Sequence, residues 1–289
     1  MGKGLPIKVL VLGKNGQLGA EILAALEKSG IDVTGIGRNE CDITKLDKVK
    51  NLFDSVKPSI VINCAAYNRV DEAELSPSRA YSVNAVGARN VAYMCRKSGA
   101  YLIHFSTDYV FDGDKGSYYT ENDKPNPVNH YGRSKLLGEE FVLEELSGYS
   151  LILRTSWLYG NGKQNFLHKL LTWLNQKNKV YVSCDEFSVP TSTRFVAEVV
   201  KGLLYEGITG TYHLVCKGYA SRLEWAKSFL RFAEIHRTVY PAYASSFNLP
   251  ARRPAFSAMS SERLEKLLNT SFPYWEDELR LCCMLFDFY

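Results

Sequence analysis

The sequence lacks the features of metal-binding and disulfide-rich proteins. Its seven cysteines and five histidines are scattered, apart from the adjacent Cys282 and Cys283, with no CxxC pair and no histidine at ligand spacing. An odd number of isolated cysteines favours reduced thiols, and isolated histidines favour core or loop positions over metal ligands. The sequence therefore predicts no metal site and a cytoplasmic location.

The sequence is also poor in charge of one sign and in long apolar runs. The 289 residues carry a formal net charge of +4, with 35 Lys and Arg dispersed among 31 Asp and Glu. No basic stripe indicates nucleic acid or a membrane surface as a partner. The first apolar run, residues 9–12, is too short for a signal peptide or a membrane span. There is no internal repeat and no low-complexity linker.

Short apolar runs alternate with helical patterns through the first 160 residues. Strands are predicted at residues 7–12, 32–37, 59–64, 101–105 and 151–154, with helices between them. The helix over residues 46–56 is predicted to begin with a capping box formed by Thr44 and Asp47. A longer helix is predicted to begin at Ser76 and Pro77 and to run past Asn84. Asn84 could position an active site or serve as a helix-packing amide.

The alternation becomes irregular beyond residue 160. Helices are predicted at residues 166–174, 195–205, 222–232, 261–268 and 275–286, and strands at 180–183 and 211–215. We therefore predict an α/β fold, a Rossmann-type doubly wound parallel sheet with a smaller, interleaved α/β substrate domain. Residues 1–160 form the nucleotide domain, completed by about residues 193–216, and residues 161–289 form the substrate domain.

A glycine-rich turn follows the first predicted strand. Residues 13–19 read GKNGQLG, so Gly13, Gly16 and Gly19 recur at every third position before a helix. Glycines let the backbone turn tightly and let a diphosphate approach the N-terminus of the helix. The spacing differs from GxGxxG, and a glycine triplet alone fits a plain strand-to-helix turn as well as a nucleotide site.

The second predicted strand ends in Gly37 and Arg38, where NAD-binding sites usually carry an acidic residue for the ribose hydroxyls. An arginine can instead pair with a 2′-phosphate. We therefore predict a preference for NADPH, with weaker use of NADH; the alternative is a solvated surface arginine.

Two residues in the segment YGRSK are suited to proton transfer. Tyr131 and Lys135 are four residues apart and therefore share one face of a predicted helix. An ammonium beside a phenol favours the phenolate and is expected to bring the pKa of Tyr131 toward neutrality, so that it can protonate a carbonyl oxygen. Thr107, at the end of the preceding strand, could donate to the same oxygen. Alone, such a pair also fits a solvated helix face.

These features together resemble the extended short-chain dehydrogenase/reductase family, and within it the dTDP-4-dehydrorhamnose reductases. The resemblance covers nearly the whole chain. It rests on GKNGQLG at 13–19, CAAY at 64–67, VDEAE at 70–74, STDYVF at 106–111, YGRSK at 131–135, RTSW at 154–157, NF at 165–166, PT at 190–191 and RP at 253–254.

The resemblance implies NADPH-dependent reduction of the 4-keto group of dTDP-4-dehydro-β-L-rhamnose to dTDP-β-L-rhamnose, in polysaccharide biosynthesis. Tyr131 would donate the proton, Lys135 would hold the nicotinamide ribose, and Thr107 would bind the reacting oxygen. The implied cofactor-binding residues are Gly13, Gly16, Gln17, Leu18, Gly19, Arg38, Asp42, Ile43, Ala65, Ala66, Tyr67, Tyr131 and Lys135. The implied substrate-binding residues are Thr107, Asp108, Trp157, Asn165 and Arg253. Trp157 could instead be a core indole, and Arg253 a surface ion pair.

The sequence departs from the family pattern in two places. Asn68 and Arg69 stand where Thr and a small residue are usual, at the expected rim of the substrate site. Some relatives hold magnesium between subunits with three glutamates, of which only Glu21 has a match here, since Arg194 and Leu285 stand at the other positions. We therefore expect a monomer or a homodimer without a bridging metal.

Two alternatives to this function stay open. One is another nucleotide-sugar reductase or epimerase of the extended family, because the catalytic residues are shared. The other is a non-catalytic, NADP-binding regulatory subunit, similar to the β subunit of methionine adenosyltransferase. The segment RTSW favours the reductase over the regulatory subunit.

Overall fold

The computed structural model describes residues 7–285, so the predicted last residue of the C-terminal helix, 286, lies outside the described residues. The strands are β1 (Lys8–Leu12), β2 (Asp32–Ile36), β3 (Ile60–Asn63), β4 (Tyr101–Thr107), β5 (Ser150–Thr155), β6 (Leu158–Tyr159), β7 (Val180–Ser183), β8 (Phe187–Ser188), β9 (Thr191–Ser192), β10 (Gly210–His213), β11 (Ala220–Ser221) and β12 (Val239–Ala242). The α-helices are α1 (Gln17–Lys28), α2 (Leu46–Val56), α3 (Val70–Leu75), α4 (Pro77–Tyr81), α5 (Ala88–Ser98), α6 (His130–Glu145), α7 (Phe166–Gln176), α8 (Thr193–Leu203), α9 (Arg222–Phe232), α10 (Glu262–Leu268) and α11 (Trp275–Leu285). Within this range no helix is both long enough and apolar enough to cross a membrane.

The central sheet has six parallel strands in the order β2-β1-β3-β4-β5-β10. Alternate residues of β1 face opposite sides, so Val9 and Val11 pack with one apolar cluster and Leu10 and Leu12 with another. Helices α1 and α8 pack together on one side of the sheet, and α2 and α5 pack together on the other. The doubly wound α/β fold predicted from the sequence is confirmed.

The strand order reverses at β1, which lies between β2 and β3. Loops that leave the carboxyl ends of β1 and β3 therefore diverge and open a crevice, where ligands bind in open α/β sheets. Leu12 pairs with Asn63, and Thr107 pairs with Thr155, so these strands end at a common edge. This edge brings the glycine turn close to Thr107.

The long helix predicted from Ser76 is interrupted by a π-helix at Ser82–Gly87 between α4 and α5. The interruption contains Asn84, whose Oδ1 accepts a hydrogen bond from Tyr67 N at 2.7 Å. The Asn84 amide also donates to Ser134 Oγ at 2.9 Å, in the helix that carries Tyr131. π-Helical turns occur often at functional sites. Asn84 therefore joins the loop after β3 to α6, and its role in positioning the site stays a prediction.

Local capping differs from the sequence prediction at two helices. The capping box predicted for α2 is wrong, because its N-cap is Lys45 and forms no side-chain cap. Asp42 Oδ1 instead accepts from Thr44 N at 3.1 Å, which closes a turn before the helix. An unpredicted capping box of Ser221 and Glu224 begins α9.

The second half of the chain is interleaved with the first. Strand β10 forms the edge of the central sheet beside β5, and α8 packs on α1. Within the described part of the chain, three two-stranded sheets, β7–β12, β6–β9 and β8–β11, lie outside the central sheet. The segments between β5 and α10 thus form a wall facing the crevice.

Candidate active site

A cavity of about 640 Å³ opens at the carboxyl edge of the central sheet. It is lined by residues from both halves of the chain. The sequence-predicted residues in its lining are Gly16, Gln17, Leu18, Gly19, Ala66, Thr107, Asp108, Tyr131, Lys135, Trp157, Asn165 and Arg253. The sequence-predicted residues outside its lining are Gly13, Arg38, Asp42, Ile43, Ala65 and Tyr67.

The glycine turn has room for glycine alone at two of its positions. Gly13 has a φ of +86°, and a Cβ there would lie 2.8 Å from Ala65 N. A Cβ at Gly19 would collide with the carbonyl oxygen of Gly13, so α1 approaches the turn closely. Helix α1 has no side-chain cap after Gly16, which leaves its first N–H groups available to an anion. This cradle fits the diphosphate of a dinucleotide.

The region past β2 contains a charged pair that the sequence analysis missed. Arg38 is exposed, and two residues later Glu40 accepts hydrogen bonds from Lys14 Nζ and from Gly37 N, each at 2.8 Å. Glu40 thus stabilises the turn beside Arg38. The selection of a 2′-phosphate by Arg38 stays a prediction.

Helix α6 carries Tyr131 and Lys135 into the cavity. Its N-cap is Asn129, whose Oδ1 accepts from Gly132 N at 2.8 Å. Lys135 Nζ donates to Phe105 O at 2.6 Å, and burial lowers the pKa of Lys135 to about 8, although the Glu139 carboxylate opposes this shift.

The predicted lowering of the pKa of Tyr131 is wrong for this structure. Burial raises the pKa of the phenol above its ordinary value, and a hydrogen bond with Thr107 only partly offsets the rise. Lys135 Nζ donates to Phe105 O and not to the phenol. Tyr131 therefore keeps its proton, as a proton donor requires.

Thr107 and Asp108 form a buried hydrogen-bond network beside Tyr131. Thr107 Oγ1 donates to Asp108 Oδ1 at 3.1 Å and accepts from Tyr109 N at 3.2 Å. Asp108 Oδ2 accepts from Ser188 Oγ at 2.9 Å and from Ser257 Oγ at 2.5 Å. Burial raises the pKa of Asp108, while these hydrogen bonds oppose the rise. Asp108 thus fixes Thr107 and ties the second half of the chain to the site.

A buried ion pair lies one helical turn beyond Lys135. Arg154 of the segment RTSW binds Glu139 with two hydrogen bonds, Nε to Oε1 at 3.0 Å and Nη2 to Oε2 at 2.6 Å. Their side chains are only 7% and 3% exposed. This pair connects β5 to the helix that carries Tyr131 and Lys135.

Trp157 is held in an unusual conformation in the cavity wall. Its φ of +40° lies in the left-handed region, which bulky residues rarely adopt. Its indole is partly buried and stacks on Trp225 with ring centroids 5.5 Å apart. Backbone strain of this kind persists where the surrounding structure holds it, often at ligand sites.

Asn165 and Arg253 both line the cavity but are already engaged by protein groups. Asn165 is buried; its Oδ1 caps α7 by accepting from His168 N, and its Nδ2 donates to Gly162 O at 2.6 Å. Arg253 Nη2 binds Asp71 Oδ2 at 2.7 Å. Direct contact of these residues with a substrate stays a prediction.

The positions linked to magnesium in some relatives are used differently here. Arg194 forms an ion pair with the buried Glu278 at 2.6 Å, and Leu285 is exposed. In the described range, no three His, Cys, Asp or Glu residues are grouped so that they could hold a metal. The absence of a bridging metal stays a prediction.

Residues 7–287 match the family described as RmlD substrate binding domain. The chain is 33% identical to a dTDP-4-dehydrorhamnose reductase of Burkholderia thailandensis, over 96% of this chain and 98% of that protein. It is 37% identical to a dTDP-4-keto-6-deoxy-D-glucose reductase of Streptomyces niveus, over 93% of this chain and 94% of that protein.

A solved structure of similar fold is a dTDP-4-dehydrorhamnose reductase of Bacillus anthracis in complex with NADP. It has a TM-score of 0.93 and 34% identity, and the match covers 97% of this chain and 100% of that one. A second, from Clostridium acetobutylicum, has a TM-score of 0.92 and 36% identity, over 96% and 99% of the two chains. The chain therefore belongs to the RmlD family, that of the dTDP-4-dehydrorhamnose reductases.

Proposed function

We propose that this protein is an NADPH-dependent reductase of the 4-keto group of dTDP-4-dehydro-β-L-rhamnose, with dTDP-β-L-rhamnose as product. The observation that carries the proposal is the convergence of Thr107, Tyr131 and Lys135 in one cavity, whose far wall is the glycine turn. The relative from Burkholderia thailandensis is named for this reduction, and the Bacillus anthracis relative was solved with NADP.

The cofactor would be held at the crevice of the central sheet. The turn at Gly13, Gly16 and Gly19 would receive its diphosphate, Arg38 its 2′-phosphate, and Lys135 its nicotinamide ribose. NADPH, when bound, supplies a hydride to carbon 4 of the sugar. In this proposal, residues 1–160 and about 193–216 form the cofactor domain, and the remainder of residues 161–289 forms the substrate domain.

The side chains act on the oxygen of the ketone. Addition of a hydride to carbon 4 builds negative charge on this oxygen, so a donor there contributes most in the transition state. Tyr131 donates the proton, because burial keeps its phenol protonated. Thr107, expected from the resemblance to bind the reacting oxygen, gives its hydroxyl proton to Asp108 Oδ1 and is hydrogen-bonded to Tyr131, so in this proposal it orients the phenol. The positive charge of Lys135 favours the phenolate that the transfer leaves behind.

A second candidate substrate is dTDP-4-keto-6-deoxy-D-glucose, because the relative from Streptomyces niveus is named for its reduction. The same three residues would serve this ketone. A regulatory subunit that only binds NADP is disfavoured, because such a protein has no need of Tyr131 hydrogen-bonded to Thr107 above a buried lysine.

The test is oxidation of NADPH by the purified protein with each of the two ketosugars, followed by assignment of the carbon 4 configuration by NMR. The proposal predicts that the protein reduces dTDP-4-dehydro-L-rhamnose and that the product is dTDP-L-rhamnose. Turnover of the D-glucose derivative alone would move the assignment to the second candidate. No turnover with either ketosugar would contradict the reductase.

The proposal includes a cytoplasmic location, because the isolated cysteines favour reduced thiols. It also includes a monomeric state or a homodimer without a bridging metal. Light scattering of the purified protein with and without a chelator tests the latter. Loss of a dimer on chelation would contradict it.

A further inference from the structure

Arg222, which the sequence analysis did not single out, extends into the cavity from the first residue of α9. The capping box of Ser221 and Glu224 fixes the start of this helix, and Arg222 N donates to Glu186 O at 3.2 Å. The Arg222 side chain is partly buried and belongs to the cavity lining. Its position is therefore set by local structure on both sides.

The guanidinium of Arg222 lies on the indole of Trp157. The distance from Cζ to the centroid of the indole is 3.6 Å, which is too short for an edge-on approach and indicates face-to-face stacking. The same carbon lies 5.2 Å from the centroid of Phe166 and 5.5 Å from that of Trp225. Stacking uses the face of the guanidinium and leaves its in-plane N–H groups available for hydrogen bonds.

Among residues 7–285, no ion pair or hydrogen bond involves the Arg222 guanidinium, and the Glu186 and Asp108 carboxylates act on its charge without bonding to it directly. The two carboxylates that act on the Arg222 charge, those of Glu186 and Asp108, already accept hydrogen bonds from serine hydroxyls. Glu186 accepts from Ser183 Oγ at 2.5 Å, and Asp108 accepts from Ser188 and Ser257. Burial lowers the pKa of Arg222. A partly desolvated cation with no directly bonded anion is stabilised by an anion that binds it.

Nearby Arg253 differs in this respect. Its guanidinium is paired with Asp71 and also donates to Ala251 O at 2.8 Å. Arg222 is therefore the better placed of the two to receive an anionic ligand. It lies close to Asp108, the neighbour of Thr107, and among residues of the second half of the chain, whereas the glycine turn is suited to the diphosphate of the cofactor.

We propose that Arg222 binds the diphosphate of the nucleotide sugar through its in-plane N–H groups, with Trp157 holding the guanidinium in place. The planar fork of an arginine matches two phosphate oxygens. The strained backbone of Trp157 serves to present this stacking surface. The inference rests on the proposed function, because it takes a nucleotide sugar as the ligand of the cavity.

The test is calorimetric titration of the purified protein with dTDP and, separately, with NADPH. Arg222→Met is expected to weaken dTDP binding by about 10-fold to 100-fold, the range for loss of a charged hydrogen bond, and to leave NADPH binding unchanged. Arg222→Lys keeps the charge without the fork and is expected to give an intermediate loss. In turnover, Arg222→Met is expected to raise KM far more than it lowers kcat.

The matched control is Arg231→Met. Arg231 lies on the same helix and stacks over Phe232 at 4.6 Å, but it is exposed and lies outside the cavity lining. This control is expected to bind dTDP like the wild type.

Three outcomes would overturn the assignment of Arg222. The first is a dTDP affinity of Arg222→Met equal to that of the control. The second is an equal loss of dTDP and NADPH affinity together with a lower Tm. The third is no binding of dTDP by the wild type. Failure of the proposed function is distinguishable, since it would appear as dTDP binding that depends on Arg222 without turnover of the ketosugars.

Discussion

The buried ion pair between Glu139 and Arg154 is expected to control both stability and the charge of Lys135. Glu139→Gln keeps the shape of the side chain and removes its charge. Arg154 then remains buried with no opposing charge, because both side chains are almost inaccessible to water. The exchange also removes the carboxylate that raises the pKa of Lys135.

The expected loss follows from the burial of the pair. Removing one partner of a buried ion pair costs about 3–5 kcal/mol of unfolding free energy. This is a large part of the stability of an ordinary domain, about 5–15 kcal/mol. Replacing both partners, in Glu139→Leu with Arg154→Met, is expected to restore most of the loss, because no uncompensated charge remains. The pKa of Lys135 is expected to fall below about 8 in Glu139→Gln.

Urea unfolding at neutral pH measures the free energies, with Glu262→Gln as the matched control. Glu262 forms an exposed pair with Lys266, with side chains 67% and 75% exposed. Loss of such an exposed, solvent-screened pair is expected to cost little stability. The reasoning is refuted if Glu139→Gln costs no more than the control, or if the double variant is no more stable than the single one.

Two further predictions concern cofactor binding. Because burial lowers the pKa of Lys135 to about 8, its positive charge is lost as the pH rises through this value, and the Kd for the anionic NADPH is expected to rise there by about 10-fold. Lys135→Met should abolish this pH dependence in a fluorescence titration. The effect of pH on folding has the opposite sign. Between about pH 8 and 10.5 the unfolded chain keeps the Lys135 proton that the folded chain has lost, so the contribution of Lys135 to the free energy of unfolding rises over this range. Arg38→Ser is expected to lower the kcat/KM ratio of NADPH to NADH by about 10-fold; equal values in the wild type would contradict the role of Arg38.

Local sequence signals predicted the central sheet and the placement of Tyr131 and Lys135 on one helix. Apolar runs marked β1 and β3 because both faces of a parallel sheet are buried, and the spacing of Tyr131 and Lys135 placed both on α6. The capping box predicted for α2 does not form because Thr44 takes part in a different local structure. Its N–H donates to Asp42 Oδ1 in the turn that precedes the helix.

Contacts between distant segments could not be predicted from the sequence. Ser188 and Ser257 bind Asp108 across 80 and 149 residues, and nothing in their local sequence indicates this. The pKa of Tyr131 depends on how deeply the folded chain buries the phenol, which spacing alone does not give. Arg222 looked like an ordinary helix residue until the fold brought it onto Trp157.

The central claim is that Tyr131 protonates the ketone of the sugar. Its direct test is the rate of NADPH oxidation with dTDP-4-dehydro-L-rhamnose by wild type and by Tyr131→Phe. The ring would keep its edge contact with Tyr109, at 5.8 Å between centroids, so folding and NADPH binding are expected to be unchanged. Tyr149→Phe, at an exposed position, is the matched control. We expect kcat to fall by about 100-fold to 10,000-fold in Tyr131→Phe alone; turnover equal to that of Tyr149→Phe would contradict the mechanism.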